Sequence, residues 1–548
     1  MDTVKIIFND NSTHEYKSGT SYYDISKDYN MENIVGFKIG NEVYSLDKKA
    51  LQDEKINFIS ASDLIGNKIY KSGLKFIFEV ALEEVFPDLS IRYEHSVPRG
   101  MLGEVLGPHI LTQEDISKVK EKMSEIIQNN DEITKVIVSP KEAIKYYNSK
   151  GEHEKAENIQ NISDKVVTLY KLHNKFNYFY SQMPYKTGII NKFELVYLGN
   201  NKIIFLFPNV GKNNVLEYVH YDNIINSFLE GKKWLSNLQM PYITNLNKTI
   251  GNGDIINFMQ SSELMFNLNI YNAVEDIINN HRDVKFILIA GPSSSGKTTT
   301  TKRISSHFKA MGYHTICISL DDYYVDRELT PKLENGKYDF ESLNAINVER
   351  FNDDLKKLLD GKEVTLPQYD FITGKSETSN NKIKLQENSI FLIEGLHAIN
   401  DELTSSIENK YKYKIYLSPF IPLNIDKHNY ISTLDLRLLR RIVRDNRTRG
   451  YDVVKTIDSW QSVRDGEEKY IFPFIHQANT IINTALPYEV GVLKVYVEPL
   501  LLSVSVDSIY YEEARRLIDF LKQFFPIPGE YVNDYSILRE FIGGLKND

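Results

Sequence analysis

One stretch constrains this chain more than any other: residues 285–304 read KFILIAGPSSSGKTTTTKRI. The apolar run FILIA has the length of a strand buried on both faces, and a full G-x-x-x-x-G-K-[ST] match follows it. Ile304 and Phe308 then fall four residues apart, as they would on one face of a helix. The segment therefore predicts a buried strand, a phosphate-binding loop and a helix, and with them a site for a nucleoside triphosphate.

The residue types in this loop suit phosphate chemistry. Glycines allow the tight turn in which successive backbone N–H groups converge on phosphate oxygens at a helix N-terminus. Lys297 is expected to reach the β- and γ-phosphates, and the Thr298 hydroxyl to ligate Mg²⁺. The predicted nucleotide-binding residues of the loop are Gly291, Ser293, Ser294, Ser295, Gly296, Lys297, Thr298 and Thr299.

The bulk properties limit what the rest of the chain can be. A chain of 548 residues is too long for one core, so three or four domains are expected. Its net charge of −9 argues against a generally basic nucleic-acid binder, although a local basic patch stays open. The single cysteine, Cys317, the lack of a leader-like N-terminus and the lack of a membrane-length apolar run indicate a cytoplasmic protein that spans no membrane.

Residues 1–62 read as a small β-rich module. VKIIF and THEYK flank a turn, a short helix is expected over Ser21–Tyr29, and VGFKIG, EVYSL and KINFIS are further strand candidates. This layout resembles the ubiquitin-like TGS domain, a β-grasp fold found on threonyl-tRNA synthetases and some GTPases. An unrelated small α+β module is the alternative.

Residues 63–240 resemble the editing-type α+β domain of threonyl-tRNA synthetases. The resemblance rests on SGLKFIFEVALEEVFPDL, ILTQEDISKVKEKMSEII and VSPKEAIKYYNSKGE, the second with Thr112 as the expected N-cap. The family binds zinc with an H-x-x-x-H pair and a later Cys/His pair, whereas residues 70–84 contain no histidine and YFYSQMPYKTGII offers no ligand. Editing chemistry is therefore expected to be absent, which leaves a scaffold that binds, regulates or dimerises.

Two further segments frame the last large domain. Residues 241–282 read as a polar linker, TNLNKTIGNGD, followed by a connecting helix. Residues 491–548 read as a C-terminal cap or oligomer contact, with a strand-like VLKVYVEPLLLSV and a helix over Tyr510–Phe525. Neither segment contains a recognisable catalytic pattern.

A carboxylate pair follows the next predicted strand. The run Thr315–Leu320 is expected to be a buried strand that ends at Asp321, Asp322 and Tyr323. Polar residues at the carboxyl ends of such strands face the ligand crevice of an open α/β sheet. Asp321 could therefore take a proton from an attacking hydroxyl, although a strand-end Asp is also a common turn former.

Five separated blocks strengthen the catalytic interpretation. The phosphate loop with DDYY is followed by GKYDFESLNAIN, LPQYDFITGKS, SIFLIEGLHAIN and DLRLLRRIVRDNRTRGYD. In order and spacing they resemble the uridine kinase and phosphoribulokinase family of P-loop kinases, over about residues 283–490. The resemblance implies an α/β domain in which helices flank a parallel sheet.

The resemblance also implies roles for individual residues. Asp321 would be the general base and, with Thr298 and Glu394, would form the Mg²⁺ environment. Lys297 and Arg437 would complete the catalytic set, with Arg437 contacting acceptor or phosphate. The acceptor pocket would be lined by Tyr324, Glu341, Tyr369 and Arg437.

The arginines of the last block fall on one helical face. Arg437, Arg440, Arg441 and Arg444 are spaced i, i+3, i+4 and i+7, and repeated cations on one face need an anion opposite. A triphosphate is the obvious candidate, so we expect Arg440, Arg441 and Arg444 to close over ATP. A solvated basic face is the alternative.

The expected activity is transfer of the ATP γ-phosphoryl group to the 5′-hydroxyl of a nucleoside, with Mg²⁺. Gly374 stands where uridine kinases carry a pyrimidine-reading histidine, and Glu341 where an Asp is usual, so the nucleoside stays open. Another small alcohol, such as a sugar phosphate or a pantothenate-like alcohol, is the first alternative acceptor. An ATP-switched regulator whose N-terminal half binds RNA is the second alternative, and a homo-oligomer is possible. The sequence contains no N-K-x-D motif, which argues against a GTPase.

Overall fold

The N-terminal hairpin and its partner strands form one mixed sheet. The computed structural model describes residues 3–162, 164–332, 336, 338–370 and 372–544. The sheet order is β2-β1-β5-β3-β4, with β1 parallel to β5 and the other neighbours antiparallel. The predicted strands and short helix are confirmed, because their alternating apolar residues bury one face. The elements are β1 (Thr3–Ile7), β2 (Thr13–Lys17), α1 (Tyr22–Ser26), β3 (Ile34–Ile39), β4 (Glu42–Tyr44) and β5 (Glu54–Ser60).

The second unit is built around a long, largely buried helix, α2 (Leu64–Val85). Pro87 ends it, because a residue before proline leaves the helical region. α3 (Gln113–Asn129) begins with a capping box in which Thr112 and Asp115 bond each other's backbone. The remaining elements are β6 (Ser90–Val97), β7 (Gly100–Leu106), β8 (Thr134–Val138), α4 (Pro140–Ser149), α5 (His153–Asn161), β9 (Val167–Leu172), β10 (Lys175–Asn177), β11 (Glu194–Gly199), β12 (Lys202–Leu206) and α6 (Asp222–Asn237).

Two sheets pack in this unit, with orders β10-β9-β8 and β11-β12-β7-β6. α2 contacts the segment that offered no zinc ligand: the Ser72 and Ser181 hydroxyls lie 2.6 Å apart, and the Phe76 and Phe179 rings 5.6 Å apart. Apolar and hydroxyl side chains thus fill this contact.

The predicted linker is wrong in part. Its polar stretch is helical, as α7 (Ile243–Gly251), because Ile243 and Leu246 bury one side of it. The connecting helix is confirmed as α8 (Ile255–Asn280).

A five-stranded parallel sheet of order β14-β17-β13-β18-β19 forms the next domain. The expected parallel sheet flanked by helices is therefore confirmed. Its elements, with a separate hairpin of β15 and β16, are β13 (Phe286–Ala290), α9 (Lys297–Ala310), β14 (His314–Ser319), α10 (Val348–Leu359), β15 (Val364–Asp370), β16 (Lys375–Ile383), β17 (Ser389–Glu394), β18 (Lys412–Ser418), α11 (Thr433–Arg449), α12 (Val453–Tyr470) and β19 (Thr480–Asn483).

Two expectations for this region are corrected. The strand before Asp321 is β14, which lies at the sheet edge with Cys317 exposed, so it is not fully buried. The strand-like run after residue 490 is a helix, α13 (Glu489–Leu502), whose β-branched residues suggested a strand. Helical spacing buries Leu493, Val497 and Leu501 on one side. α14 (Tyr511–Leu521), as predicted, and α15 (Arg539–Ile542) follow.

The two halves of the chain are packed together. One buried cluster includes Ile204 and Leu206 of β12 and Phe286 and Leu288 of β13. No helix within the described residues is both long and apolar enough to cross a membrane.

A buried charged cluster also joins the halves. Glu79, Glu152 and His428 bring ligand-type atoms within 4.8 Å of one another, a geometry that could suit a metal ion. Two ammonium groups already satisfy these carboxylates: Lys155 lies 2.9 Å from Glu152, and Lys175 lies 3.1 Å from Glu79. Lys155 also contacts the His428 ring at 2.5 Å, so the cluster links the two halves.

Candidate active site

The phosphate loop runs from the end of β13 to the start of α9. Gly291 passes so close to β18 that a Cβ there would lie 2.8 Å from the Leu417 carbonyl oxygen. Gly296, the N-cap of α9, has φ +82°, a conformation that only glycine adopts without strain. Both glycines of the motif are therefore required by the backbone. The predicted strand, loop and helix are all present.

Lys297 and the predicted metal ligands lie at the same end of the sheet. Lys297 Nζ donates to the Gly291 and Pro292 carbonyl oxygens, at 2.9 and 3.3 Å, and so folds over the loop. The Thr298 hydroxyl donates to a Glu394 carboxylate oxygen at 3.2 Å. The hydroxyl and carboxylate are hard oxygen donors of the kind that Mg²⁺ prefers, so this pair fits the ion.

Three carboxylates surround the single ammonium of Lys297. Burial raises the pKa of Asp321 and of Glu394, and the charge of Lys297 acts in the opposite direction on both. Burial and the neighbouring Glu467 raise the pKa of Glu341 to about 7. Asp321 nevertheless remains open to solvent. The structure thus places an accessible carboxylate of raised basicity beside the loop, as a general base requires.

The predicted acceptor residues lie together beside Asp321. The Tyr324 and Tyr369 rings meet edge to face, with centroids 5.5 Å apart. The Tyr324 hydroxyl donates to the Phe340 carbonyl oxygen at 3.1 Å, and burial raises its pKa. The His397 ring bonds the Glu341 carbonyl oxygen at 2.8 Å, and this contact fixes the backbone of Glu341.

The arginine face of α11 differs from the prediction. Arg437 and Arg440 are fully buried, and the anions opposite them are the carboxylates of Glu467 and Glu489. Arg437 donates to the Ser293 carbonyl oxygen at 2.9 Å, and Arg440 to that of Ser294 at 3.3 Å. Both arginines therefore hold the backbone of the loop, and in this structure their anionic partners are carboxylates of the same chain.

The other two arginines lie nearer the surface. Arg441 donates to the Ser293 hydroxyl at 2.8 Å, so it stays in reach of an anion on the loop. Arg444, which was predicted to contact the triphosphate, is paired with Asp445 at 2.8 Å in this structure. Asp445 is fully buried and also faces Arg441.

Sequence reasoning missed Glu467 on α12. Its carboxylate accepts the Ser293 N–H at 3.0 Å and pairs with Arg437. The only sequence signal was an acidic pair, Glu467 and Glu468, one helix after the arginine block.

The C-terminal segment was also missed as a part of this site. A Cβ at Gly296 would lie 2.5 Å from Ile537 Cδ1, and the Thr299 hydroxyl donates to Glu540 at 2.5 Å. Arg447 holds the segment by donating to the Glu540 and Phe541 carbonyl oxygens. No local motif in this segment indicates a contact with the loop.

Gly374 has a structural reason to be glycine. Its φ is +74°, and a Cβ there would lie 2.7 Å from the Arg327 guanidinium carbon. An arginine therefore occupies the space beside the position where the resemblance predicts a histidine.

This fold and site define a P-loop phosphotransferase of the kinase class. The family model described as phosphoribulokinase/uridine kinase matches residues 286–489, and this chain belongs to that family.

Three relatives give the scale of the similarity. A uridine kinase from Macrococcus caseolyticus is 30% identical over 195 residues, 35% of this chain and 85% of the relative. One from Halobacterium salinarum is 28% identical over 196 residues, 35% of this chain and 77% of the relative. A threonine–tRNA ligase from Wolbachia pipientis is 25% identical over 195 residues, 35% of this chain but 31% of the relative.

Proposed function

We propose that the protein transfers the γ-phosphoryl group of ATP to the 5′-hydroxyl of a nucleoside, with Mg²⁺ as cofactor. One observation carries the proposal: Lys297, Thr298, Glu394 and Asp321 converge at the carboxyl end of one parallel sheet, with an aromatic pocket beside them. The family membership supports a kinase, and the uridine kinase relatives support the nucleoside acceptor.

The residues have separate tasks in this reaction. Asp321 accepts the hydroxyl proton as the acceptor oxygen bonds to the γ-phosphorus, while the bond to the β-phosphate oxygen breaks and its electron pair leaves on ADP. Lys297 and the loop N–H groups hold the phosphates in line. Thr298 and Glu394 would hold Mg²⁺, which would neutralise phosphate charge.

The acceptor pocket favours a ring with hydroxyl groups. Tyr324 and Tyr369 offer ring surfaces for stacking a base, which is worth about 1–3 kcal/mol per base. Glu341 is positioned to accept hydrogen bonds from ribose hydroxyls, as the family resemblance implies.

One observation favours a second candidate, a phosphorylated acceptor. The Arg327 guanidinium beside Gly374 is a charged group suited to phosphate, so a sugar phosphate is an alternative acceptor. Among the residues that the structure describes, no comparable geometry favours the RNA-binding regulator.

The N-terminal units are proposed to be a TGS-like module, residues 1–62, and an editing-like domain without zinc ligands, residues 63–240. The strand order of the first sheet and the similarity to threonine–tRNA ligase support these assignments. Residues 241–282 connect them to the kinase domain, about 283–490, and residues 491–548 cap it.

The experiment is ATP turnover with excess Mg²⁺ against purine and pyrimidine nucleosides, sugar phosphates and pantothenate, with mass spectrometry of the product. We expect one nucleoside to stimulate turnover and to appear as its 5′-monophosphate. The Lys297→Ala variant, purified identically, controls for contaminating kinases. Stimulation by a sugar phosphate alone would establish the second candidate. ATP binding without any stimulated turnover would contradict both, and RNA binding would then be measured.

A further inference from the structure

A cavity lies where the two halves of the protein meet. It has a volume of about 150 Å³, is partly open to solvent, and is lined by α2 on one side and by α11 and α12 on the other. A larger cavity of about 400 Å³ adjoins it and shares Lys68 and Arg516. We call the smaller one the junction cavity.

Cations exceed anions around the junction cavity. Lys68 and Arg516 are matched, because they pair with Glu513 at 3.0 Å and with Asp435 at 2.7 Å. The remaining cations are Lys71, Lys75 and Arg464. Within the described part of the chain, none of these three has a carboxylate within 4 Å.

Arg464 is half-buried, and one of its donor atoms has no partner among the described residues. Its Nη1 is shielded from solvent and makes no hydrogen bond to any described residue, and burial lowers its pKa. Glu468 and Glu467 act on it only at longer range. A buried guanidinium donor left unpaired costs free energy, so such a group indicates a missing acceptor.

Lys75 is the second uncompensated cation. The residue is 5% exposed, and its ammonium lies over the rings of Tyr93, Phe179 and Tyr430 at 4.9, 5.2 and 5.9 Å. Burial lowers its pKa to about 7, and the charge of Lys71 acts in the same direction, against the more distant carboxylates of Asp426 and Glu79. An anion in the cavity would restore the charged form.

Hydroxyl groups complete the lining. Ser72 and Ser181 lie 2.6 Å apart, and the Ser96 and Tyr430 hydroxyls 2.8 Å apart. Hydroxyls rotate to donate to an anion, so they add neutral donors to the charged ones.

We propose that the junction cavity binds a small molecule carrying a phosphate group. Lys71, Arg464 and, once an anion restores its charge, Lys75 together suit a dianion better than a single carboxylate. The volume suits one phosphate group with its ester carbon entering the adjoining cavity.

The site is connected to the phosphate loop. Trp460 lines the junction cavity, and the Arg437 guanidinium lies over its ring at 5.1 Å. Arg437 in turn holds the Ser293 carbonyl oxygen. An occupant of the cavity is thus two contacts from the loop.

The test uses Trp460 as the reporter. The chain has only two tryptophans, so Trp234→Phe leaves a single one. Inorganic phosphate, added at constant ionic strength to the full chain, should change its fluorescence saturably. Arg464→Gln in this background should weaken phosphate binding by about tenfold or more, because a charge-assisted hydrogen bond is lost. Arg282→Gln, at an exposed arginine outside both cavities, is the matched control.

Three outcomes would overturn the proposal. The first is no saturable change in fluorescence. The second is a change that survives Arg464→Gln and disappears with Lys297→Ala, because phosphate would then bind only the nucleotide loop. The third is an equal response to acetate, which would show that a carboxylate suffices. Lys75→Met is a second variant for the same phosphate titration, and circular dichroism checks that both variants fold. If Lys75→Met does not fold, the proposal is judged on Arg464→Gln alone.

Discussion

The cations on α11 and the cations around the junction cavity are arranged in opposite ways. Four α11 arginines pair with carboxylates of their own chain: Arg437 with Glu467, Arg440 with Glu489, and Arg441 and Arg444 with Asp445. In the junction cavity Lys75 and Arg464 have none within 4 Å among the described residues. Clustered cations therefore have two roles in this molecule. Cations paired with a carboxylate support the structure, and cations without one are available to a ligand.

The same distinction applies to carboxylates. Glu467 and Glu489 are matched by buried arginines, whereas Asp321, Glu341 and Glu394 share the field of Lys297. The three carboxylates without an arginine partner lie at the carboxyl end of the sheet, where ligands bind in open α/β folds. Three predictions test whether matching separates structural charges from functional ones.

The largest effect is expected from Asp321→Asn. Loss of the general base should lower turnover by about 10²–10⁴-fold and leave ATP affinity nearly unchanged, since the loop contacts remain. Turnover and ATP binding are measured separately, the latter by calorimetry. Asp322→Asn, the neighbouring carboxylate on the same turn, is the matched control. Equal turnover for Asp321→Asn and wild type would contradict the assignment.

The next effect concerns stability. Arg440→Met leaves Glu489 buried and unpaired, so the free energy of unfolding should fall by about 3–5 kcal/mol. Arg464→Gln removes an unmatched cation and should lower it by no more than about 1 kcal/mol, or raise it. Urea unfolding of both variants measures the difference. Similar decreases in the free energy of unfolding for the two variants would contradict the distinction between cations with and without a carboxylate partner.

The smallest effect is a pH dependence at Glu341. Its pKa is about 7 in the folded protein against 4.5 for an ordinary glutamate, so the folded state binds this proton more tightly than the unfolded state. Wild-type stability should fall relative to Glu341→Gln as pH rises from about 4.5 to 7, and the difference should level off above pH 7. Thermal unfolding of both proteins at pH 5, 6, 7 and 8 measures it. Parallel curves would count against the raised pKa.

Local patterns predicted the elements whose residues interact with sequence neighbours. The loop from Gly291 to Thr298 was predicted together with its flanking strand and helix, because the motif itself requires that context. The same holds for Thr112, whose capping box closes within three residues. Asp321 and Glu394 were placed at strand ends by the same kind of local evidence.

The pairing of distant charges could not be predicted. Arg440 meets Glu489 across 49 residues, and the helical spacing of the arginines showed only that some anion must lie opposite. The strand predicted where α13 lies was wrong for a related reason, because tertiary packing overrode the strand preference of its β-branched residues. Residues of α2 and α12 line the junction cavity, and no sequence spacing relates these two distant helices.

The hydrogen bond between Thr299 and Glu540 joins residues 241 positions apart in the chain. At about 5–20 residues per second, ribosomal synthesis of that interval takes on the order of tens of seconds. The start of α9 is thus made long before the segment that packs on it. During translation the nucleotide loop therefore lacks this contact at first, and the site is completed only after residue 540 has been synthesised.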